Sequence, residues 1–304
     1  MAPPLVSRAS LIVLIAYLTA FAAAAVSLVA TAHLGLLAAT AIADVVATIV
    51  VFGFSVGTNN ASMYDPYWSV APVCIAGCWW LHPGAQGDPV RAVVVVVLVN
   101  LWGWRLTYNW WRGWRGLGHE DWRYAGMRAH AGRAYWLLAF AGFHFFPTVI
   151  VYLGCLALWP ALVSGKLPLG VIDGVGVGIA LTGILVEAIA DHQLVRFKRE
   201  ASARHARGES VERPLLTAGL WAWSRHPNYF GEITFWVGLF VIGLAADLGA
   251  WWAAVGPLAM VLLFTGVSVP LLDARLRATR PDYAEHAKRV SAIVPWPPRS
   301  IGPG

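Results

Sequence analysis

The sequence predicts an all-α, polytopic transmembrane bundle of about eight helices, and three observations carry that prediction. Of 304 residues, 58% are hydrophobic and 12% charged, with a mean hydropathy of +0.62; that leaves too little polar surface for soluble domains of this length. Apolar windows near the roughly 20 residues that cross a bilayer core recur along the chain. Lys and Arg gather in alternate connections, as they do on the cytoplasmic side of membrane proteins.

The windows run over residues 10–31, 34–56, 67–82, 90–108, 135–163, 168–190, 231–246 and 249–272. The third and seventh are short and the fifth long, so a re-entrant or merged segment would reduce the count to seven. The first window follows Arg8 and is too long for a signal sequence, with no small-residue cleavage site before the next apolar stretch. Residues 1–304 read as a single integral membrane domain, with 1–32 an extra N-terminal helix. Placing both termini in the cytoplasm puts 20 of the 22 Lys and Arg on that side, leaving Arg91 and Lys166 outside. Anionic lipid headgroups account for the +6 net charge, and no nucleic acid is implied. Cys74, Cys78 and Cys155 fall inside apolar windows without metal-ligand spacing, so packing accounts for them and no metal is expected.

Four polar stretches remain: 57–66, 109–134, 191–230 and the tail from 273. All four are cytoplasmic in this topology, so a ligand meeting them would lie at the inner membrane boundary. The sixth window ends in VEAIADHQLVRFKRE, where Glu187, Asp191 and Lys198 stand four and seven residues apart on one helical face. Glu187 lies a turn inside the membrane, where an ionisable group has a task or a partner; the plainer reading is a solvated helix end with Glu187 paired to a neighbour. The run GLWAWSRHPNYFGEITFW then places Arg225, His226, Asn228, Tyr229 and Glu232 at the start of an apolar helix. Pro227 fixes the backbone, Gly231 permits close approach, and Asn228 and Glu232 share a face. Such a start suits an anion, or His226 and Asn228 simply cap the helix. The tail LLDARLRATRPDYAEHAKRVSAIVPWPP adds Asp273, then Arg275, Arg277, Arg280, Tyr283 and Lys288 on an amphipathic stretch, which alternatively binds only lipid heads. Together these groups match a phosphorylated dinucleotide: carboxylates for ribose hydroxyls, Arg and Lys for phosphates, an amide for the carboxamide. No G-x-G-x-x-G follows a strand, so a Rossmann domain is excluded.

The blocks EAIADHQLVRFK, SRHPNYFGEITFWVG and PDYAEHAKRVSAIVPW resemble the steroid 5-alpha-reductase-like membrane family, specifically its bacterial branch labelled DUF1295. The likeness covers residues 60–297 and is most specific over 187–232. It implies a seven-helix core that binds NADPH on the cytoplasmic side of a bacterial inner membrane. A lipophilic substrate from the bilayer, with a conjugated carbon–carbon double bond, would accept the hydride. By the same resemblance Glu187 and Asp191 occupy the family's N-x-x-x-D spacing, with Glu replacing the amide, and Lys198 stands where a basic residue meets phosphate. Asn228, Tyr229, Gly231 and Glu232 match the block that lines the nicotinamide end. Trp102 and Arg105, in WGWRLTYNW, fall where the family keeps an aromatic and an arginine. The steroid enzymes' Gln-Glu pair is absent from this chain, so steroid specificity is not implied.

For the missing acid the sequence offers SMYDPYWSV, whose Tyr64 and Asp65 suit donation to a developing enolate oxygen; an Asp65-Pro66 turn with interfacial aromatics is the plain alternative. HEDWRYAGMR, holding His119, Glu120, Asp121, Arg123, Tyr124 and Arg128, reads as a lid or a solvated loop. Asp44, Asn100 and His144 lie inside windows, where interhelical hydrogen bonds explain them. The rival reading is a membrane methyltransferase similar to the isoprenylcysteine carboxyl methyltransferases, which share R-H-P-x-Y-x-G and would use S-adenosylmethionine. Glu232 directly after Gly231 and the Glu187, Asp191, Lys198 stripe favour the reductase. A transporter would show polar groups near the midplane and an inverted repeat, whereas these groups gather at one edge.

Overall fold

The computed structural model describes residues 8–209 and 215–299, and its regular elements are helices, apart from one isolated parallel bridge between Ser224 and Ser291. Seven helices among the described residues are long and apolar enough to cross a membrane. The chain divides into two compact units, one ending at Ser164 and one beginning at Gly165.

In the N-terminal unit, α1 (Arg8–Ala30) and α2 (Leu36–Gly57) pack together. Much of what they bury is small: Ala16, Ala20, Ala39, Ala43 and Ala47 are inside, with Val13, Tyr17 and Val51, whereas Leu14 and Leu18 are more than half exposed. This inversion suits lipid, where there is no hydrophobic gain in burying leucine and close backbone approach holds helices together. The expected extra helix is therefore present from Arg8; residues 1–7 lie outside the described residues.

Next come α3 (Tyr67–Trp80) and α4 (Pro89–Gly113). The Asp88 carboxylate caps α4 by accepting from the Val90 and Arg91 amides at 2.9 and 3.0 Å. A methyl group on Gly103 would come 2.7 Å from the Ser69 carbonyl oxygen, so α3 and α4 touch backbone to backbone here. From Trp122 to Ser164 the chain is almost continuously helical: α5 (Trp122–Ala131), α6 (Tyr135–Ala139) and α7 (Phe146–Cys155), with π-helical turns at Phe140–Phe145 and Pro160–Ser164.

At 14 residues α3 is the apolar window that falls short of a span, about 21 Å at 1.5 Å per residue. It nevertheless runs between two ends of its unit. Before it, Asn60 is tied to the carbonyls of Leu117 and His119 at 2.8 and 3.0 Å. After it, the Gln86 amide donates to Val163 at 2.9 Å.

The C-terminal unit opens with α8 (Val171–Ala206), 36 residues long. That is about 54 Å against a hydrocarbon core of roughly 30 Å, so its last turns, bearing Asp191 and Lys198, outlast the apolar stretch. It is followed by α9 (Pro227–Ala246), α10 (Val255–Leu263), a π-helical turn at Phe264–Ser268, α11 (Val269–Thr279) and α12 (Tyr283–Arg289). α8 and α9 run antiparallel with their backbones nearly touching. Gly176 meets Ile242, Ala180 meets Gly238, Gly183 meets Phe235, and Glu187 meets Gly231. This small-residue seam fixes where Glu187 sits.

Candidate functional site

In the C-terminal unit, three residues singled out in the sequence converge on the carboxylate of a fourth. Asp273, on α11, accepts from Arg225 Nη2 at 2.8 Å through Oδ2; Oδ1 accepts from His226 Nε2 at 2.9 Å and from the Tyr283 hydroxyl. The ion pair is nearly buried, with 10% and 13% of the two side chains exposed, so water screens it weakly. His226 occupies the position before α9, but its side chain makes no capping bond; it turns to Asp273 instead, and Pro227 begins the helix without an amide to satisfy. Arg225 also donates from Nη1 to the Ala287 and Val290 carbonyls at 2.8 and 3.2 Å, while its Nε is buried without a partner among the described residues. Burial and the adjacent Asp273 carboxylate hold the Tyr283 phenol above its ordinary pKa.

One turn into α9, Tyr229 stacks on His226 at 5.3 Å and on Phe264 at 4.5 Å between ring centres. The half-buried Asn228 amide makes no hydrogen bond among the described residues. Glu232 is 4% exposed and accepts from Trp236 Nε1 at 3.0 Å. Glu187, also 4% exposed, backs onto Gly231, where a methyl group would lie 2.8 Å from the Glu187 Cβ. Glycine at 231 is thus what lets α9 lie directly against Glu187. Asp191 is half-buried and Lys198 exposed farther along α8.

The N-terminal unit holds a second polar network. Tyr64, 3% exposed, meets Thr148 Oγ1 at 2.5 Å, and Thr148 meets Thr48 at 2.7 Å. The Tyr64 ring stacks on Tyr67 at 4.9 Å, and the Tyr67 hydroxyl donates to Asp44 Oδ1 at 2.6 Å. The other Asp44 oxygen is buried with no partner among the described residues. His144, in the π-helical turn, lies at 3.0 Å through Nδ1 from the Ala139 carbonyl, which makes Nδ1 the donor and leaves Nε2 to accept from Ser55 at 3.2 Å. Trp102 is fully buried on α4, and Arg105 lies one turn on, half-buried.

Tyr64 and Asp65 do not bond to each other. Asp65 accepts from the Tyr124 hydroxyl and faces Arg123 at 3.9 Å. Burial pushes the Asp65 carboxyl up to about 6 despite Arg123 and Tyr124, which pull it down. Such a carboxyl is harder to ionise folded than unfolded, so folding takes up a proton between about pH 4 and 6. Stability falls as pH rises through that window and stays lower above it. Asp65→Asn keeps an acceptor for Tyr124 and removes the charge. We expect it to melt above the parent at pH 7.5, with the gap closing below pH 4; a gap independent of pH would contradict this account.

Sequence reasoning passed over the Tyr67–Asp44 pair. Asp44 was visible as an intramembrane acid, but nothing local in the sequence names Tyr67 as its partner 23 residues on. The segment from His119 to Arg128 is not a free loop: it is helical from Trp122 and is tied down by its acidic and basic side chains. Glu120 accepts from the Ala61 amide at 2.8 Å and from Arg128 at 3.0 Å, and Arg128 reaches Asn59 Oδ1 at 2.8 Å.

A family model described as a protein of unknown function, DUF1295, matches residues 51–290, or 240 of the 304 residues. The chain belongs to the DUF1295 family. The match begins within α2, so α1 precedes the part of the DUF1295 chain that defines the family. The protein is also similar to an uncharacterized protein of the fission yeast Schizosaccharomyces pombe, 26% identical over 263 residues, which cover 81% of this chain and 76% of the relative. No solved structure matches it.

Proposed function

We propose that this DUF1295 protein is a membrane-embedded, NADPH-dependent reductase in the wider steroid 5-alpha-reductase-like group. Its substrate is a lipophilic steroid-, isoprenoid- or enoyl-lipid-like molecule from the bilayer, reduced at a conjugated carbon–carbon double bond. The proposed setting is a bacterial inner membrane, with active site and both termini cytoplasmic. The observation that carries this reading is the α9 start, where Arg225, His226 and Tyr283 are preorganised on Asp273 beside an uncommitted Asn228 amide. A buried arginine nitrogen and a free amide are the donors that a dinucleotide's phosphates and carboxamide would take up.

Arg225, Lys198 and Arg105 are assigned to phosphates. Glu187, Asp191 and Glu232 are assigned to hydroxyl and amide groups, Asn228 and Tyr229 to the nicotinamide, and Trp102 to stacking. NADPH, when bound, supplies the hydride. Reduction also needs a proton source and a donor toward the carbonyl oxygen; Tyr64 and Asp65 are assigned that task, with Tyr67 and Asp44 positioning the Tyr64 ring.

The test titrates NADPH, NADH and S-adenosylmethionine against the detergent-purified protein and follows thermal stability, because a ligand that binds only the folded state raises it. Selective stabilisation by NADPH is expected, lost in Asn228→Ala and in Glu232→Ala. Tyr64→Phe is expected to keep NADPH binding while turnover on an enone lipid falls about 100-fold or more, the usual reach of a general acid. Unchanged NADPH affinity in both α9 variants would sink the assignment; stabilisation by S-adenosylmethionine alone would transfer the site to a methyltransferase.

A further inference from the structure

Beyond α12 the tail folds back on its own unit and closes a pocket of about 430 Å³. Its lining carries four cations, Arg225, Lys288, Arg289 and Arg299, together with Ser291 and Trp296, and no acidic side chain. Lys288 reaches Glu285 at 2.9 Å on the open surface, and Arg225 is matched by Asp273. Arg289 and Arg299 have no acidic partner among the described residues.

The walls are held by main-chain bonds. The Arg225 amide donates to Ser291 at 2.9 Å, the Trp296 amide to Trp223 at 3.0 Å, and the Arg299 amide to Arg289 at 2.9 Å. Ser224 Oγ donates to Ile293 at 2.7 Å. Bringing Arg289 and Arg299 together in a fixed pocket costs electrostatic repulsion, which an anion would relieve. The surroundings indicate which anion. Apart from Arg225, the lining lies within 20 residues of Thr279, where the last apolar helix ends. Trp296 and Val294 are 67% and 57% exposed, and Trp223 is 48% exposed. Exposed tryptophans beside arginines are the composition of a membrane interface, where rings settle among headgroups and basic side chains meet phosphate.

We propose that this tail pocket binds the phosphate of an anionic phospholipid headgroup, with Arg289 and Arg299 as its ligands and Trp296 seated in the adjoining interface. Its occupant borders Arg225 and so steadies the Asp273 cluster. The site does not depend on the reductase reading.

The test uses the full-length protein in detergent with phosphatidylglycerol, phosphatidylcholine, inorganic phosphate or NADPH added separately, and follows lipid adducts by native mass spectrometry alongside thermal stability. Phosphatidylglycerol is expected to bind and stabilise selectively. Arg289→Gln with Arg299→Gln should weaken it roughly 30-fold, at about 1 kcal/mol per basic residue and tenfold per 1.4 kcal/mol. Lysine at both positions should restore much of the affinity, and Asn228→Ala should leave it unchanged. Equal binding of phosphatidylcholine, or full retention in the double glutamine variant, would overturn the proposal. Stabilisation by inorganic phosphate or NADPH through these two arginines, without phosphatidylglycerol, would overturn it in favour of a soluble phosphate ligand.

Discussion

Asp273→Ala should be the most damaging single substitution in the C-terminal unit. It removes at once the acceptor of Arg225, His226 and Tyr283 and leaves a nearly buried guanidinium without its counter-charge. Breaking such a pair from one side typically costs about 3–5 kcal/mol, so a fall in melting temperature and loss of NADPH stabilisation are expected together. Asp273→Asn keeps the shape and one acceptor oxygen, and is expected to fall between parent and alanine. Thermal unfolding of the three proteins in the same detergent measures this. An alanine variant as stable as the parent would mean that Arg225 is satisfied by the Ala287 and Val290 carbonyls alone.

The second large effect is expected at Gly183. A methyl group there would lie 2.4 Å from the Phe235 amide nitrogen and 2.6 Å from the Gly231 carbonyl oxygen. Both are backbone atoms that no rotamer change can move, so Gly183→Ala must push α8 and α9 apart. Overpacking of this kind costs about 1–3 kcal/mol, and here it also displaces Glu187, one turn away on the same seam. Gly174 and Gly178 are on the same helix with open space around them, and alanine at either is expected to be neutral or slightly stabilising. Equal effects at Gly183 and Gly178 would show that helix propensity, not contact, is being measured. The comparison is read from melting temperatures and from NADPH titration of each variant.

The apolar windows were legible because lipid offers backbone groups no partners, which forces long apolar helices whose hydropathy shows in any linear scan. The sixth window ends near residue 190, yet α8 continues to Ala206; hydropathy marks where lipid ends, and hydrogen bonding decides where a helix ends. The same scan cannot see the π-helical turn at Phe140–Phe145, which is as apolar as its neighbours and is where His144 is set. Of the candidate site residues, the run from Arg225 to Glu232 was visible because few apolar helices begin with so many polar groups. Its purpose within the fold was not visible: in the sequence His226 read as a ligand for an anion or else a helix cap, and the structure turns it to a carboxylate 47 residues away. Tyr64 and Asp65, adjacent in sequence, separate to Thr148 and Tyr124 because neighbours along a chain leave the backbone in different directions.

By itself the sequence determined the membrane class of this protein, the approximate positions of its helices, Gly231 as a point of close approach, and the titratable residues available at helix ends. Those properties are local, written in composition and in the 3.6-residue period. Only the tertiary structure decided that Asp273 gathers Arg225, His226 and Tyr283, that Tyr67 answers Asp44, and that the tail folds back to leave Arg289 and Arg299 in one pocket. Each of those outcomes depends on which helices lie side by side, a choice made by shape complementarity among small residues and by the cost of leaving a charge unpaired, neither of which is inscribed at any one position of the chain.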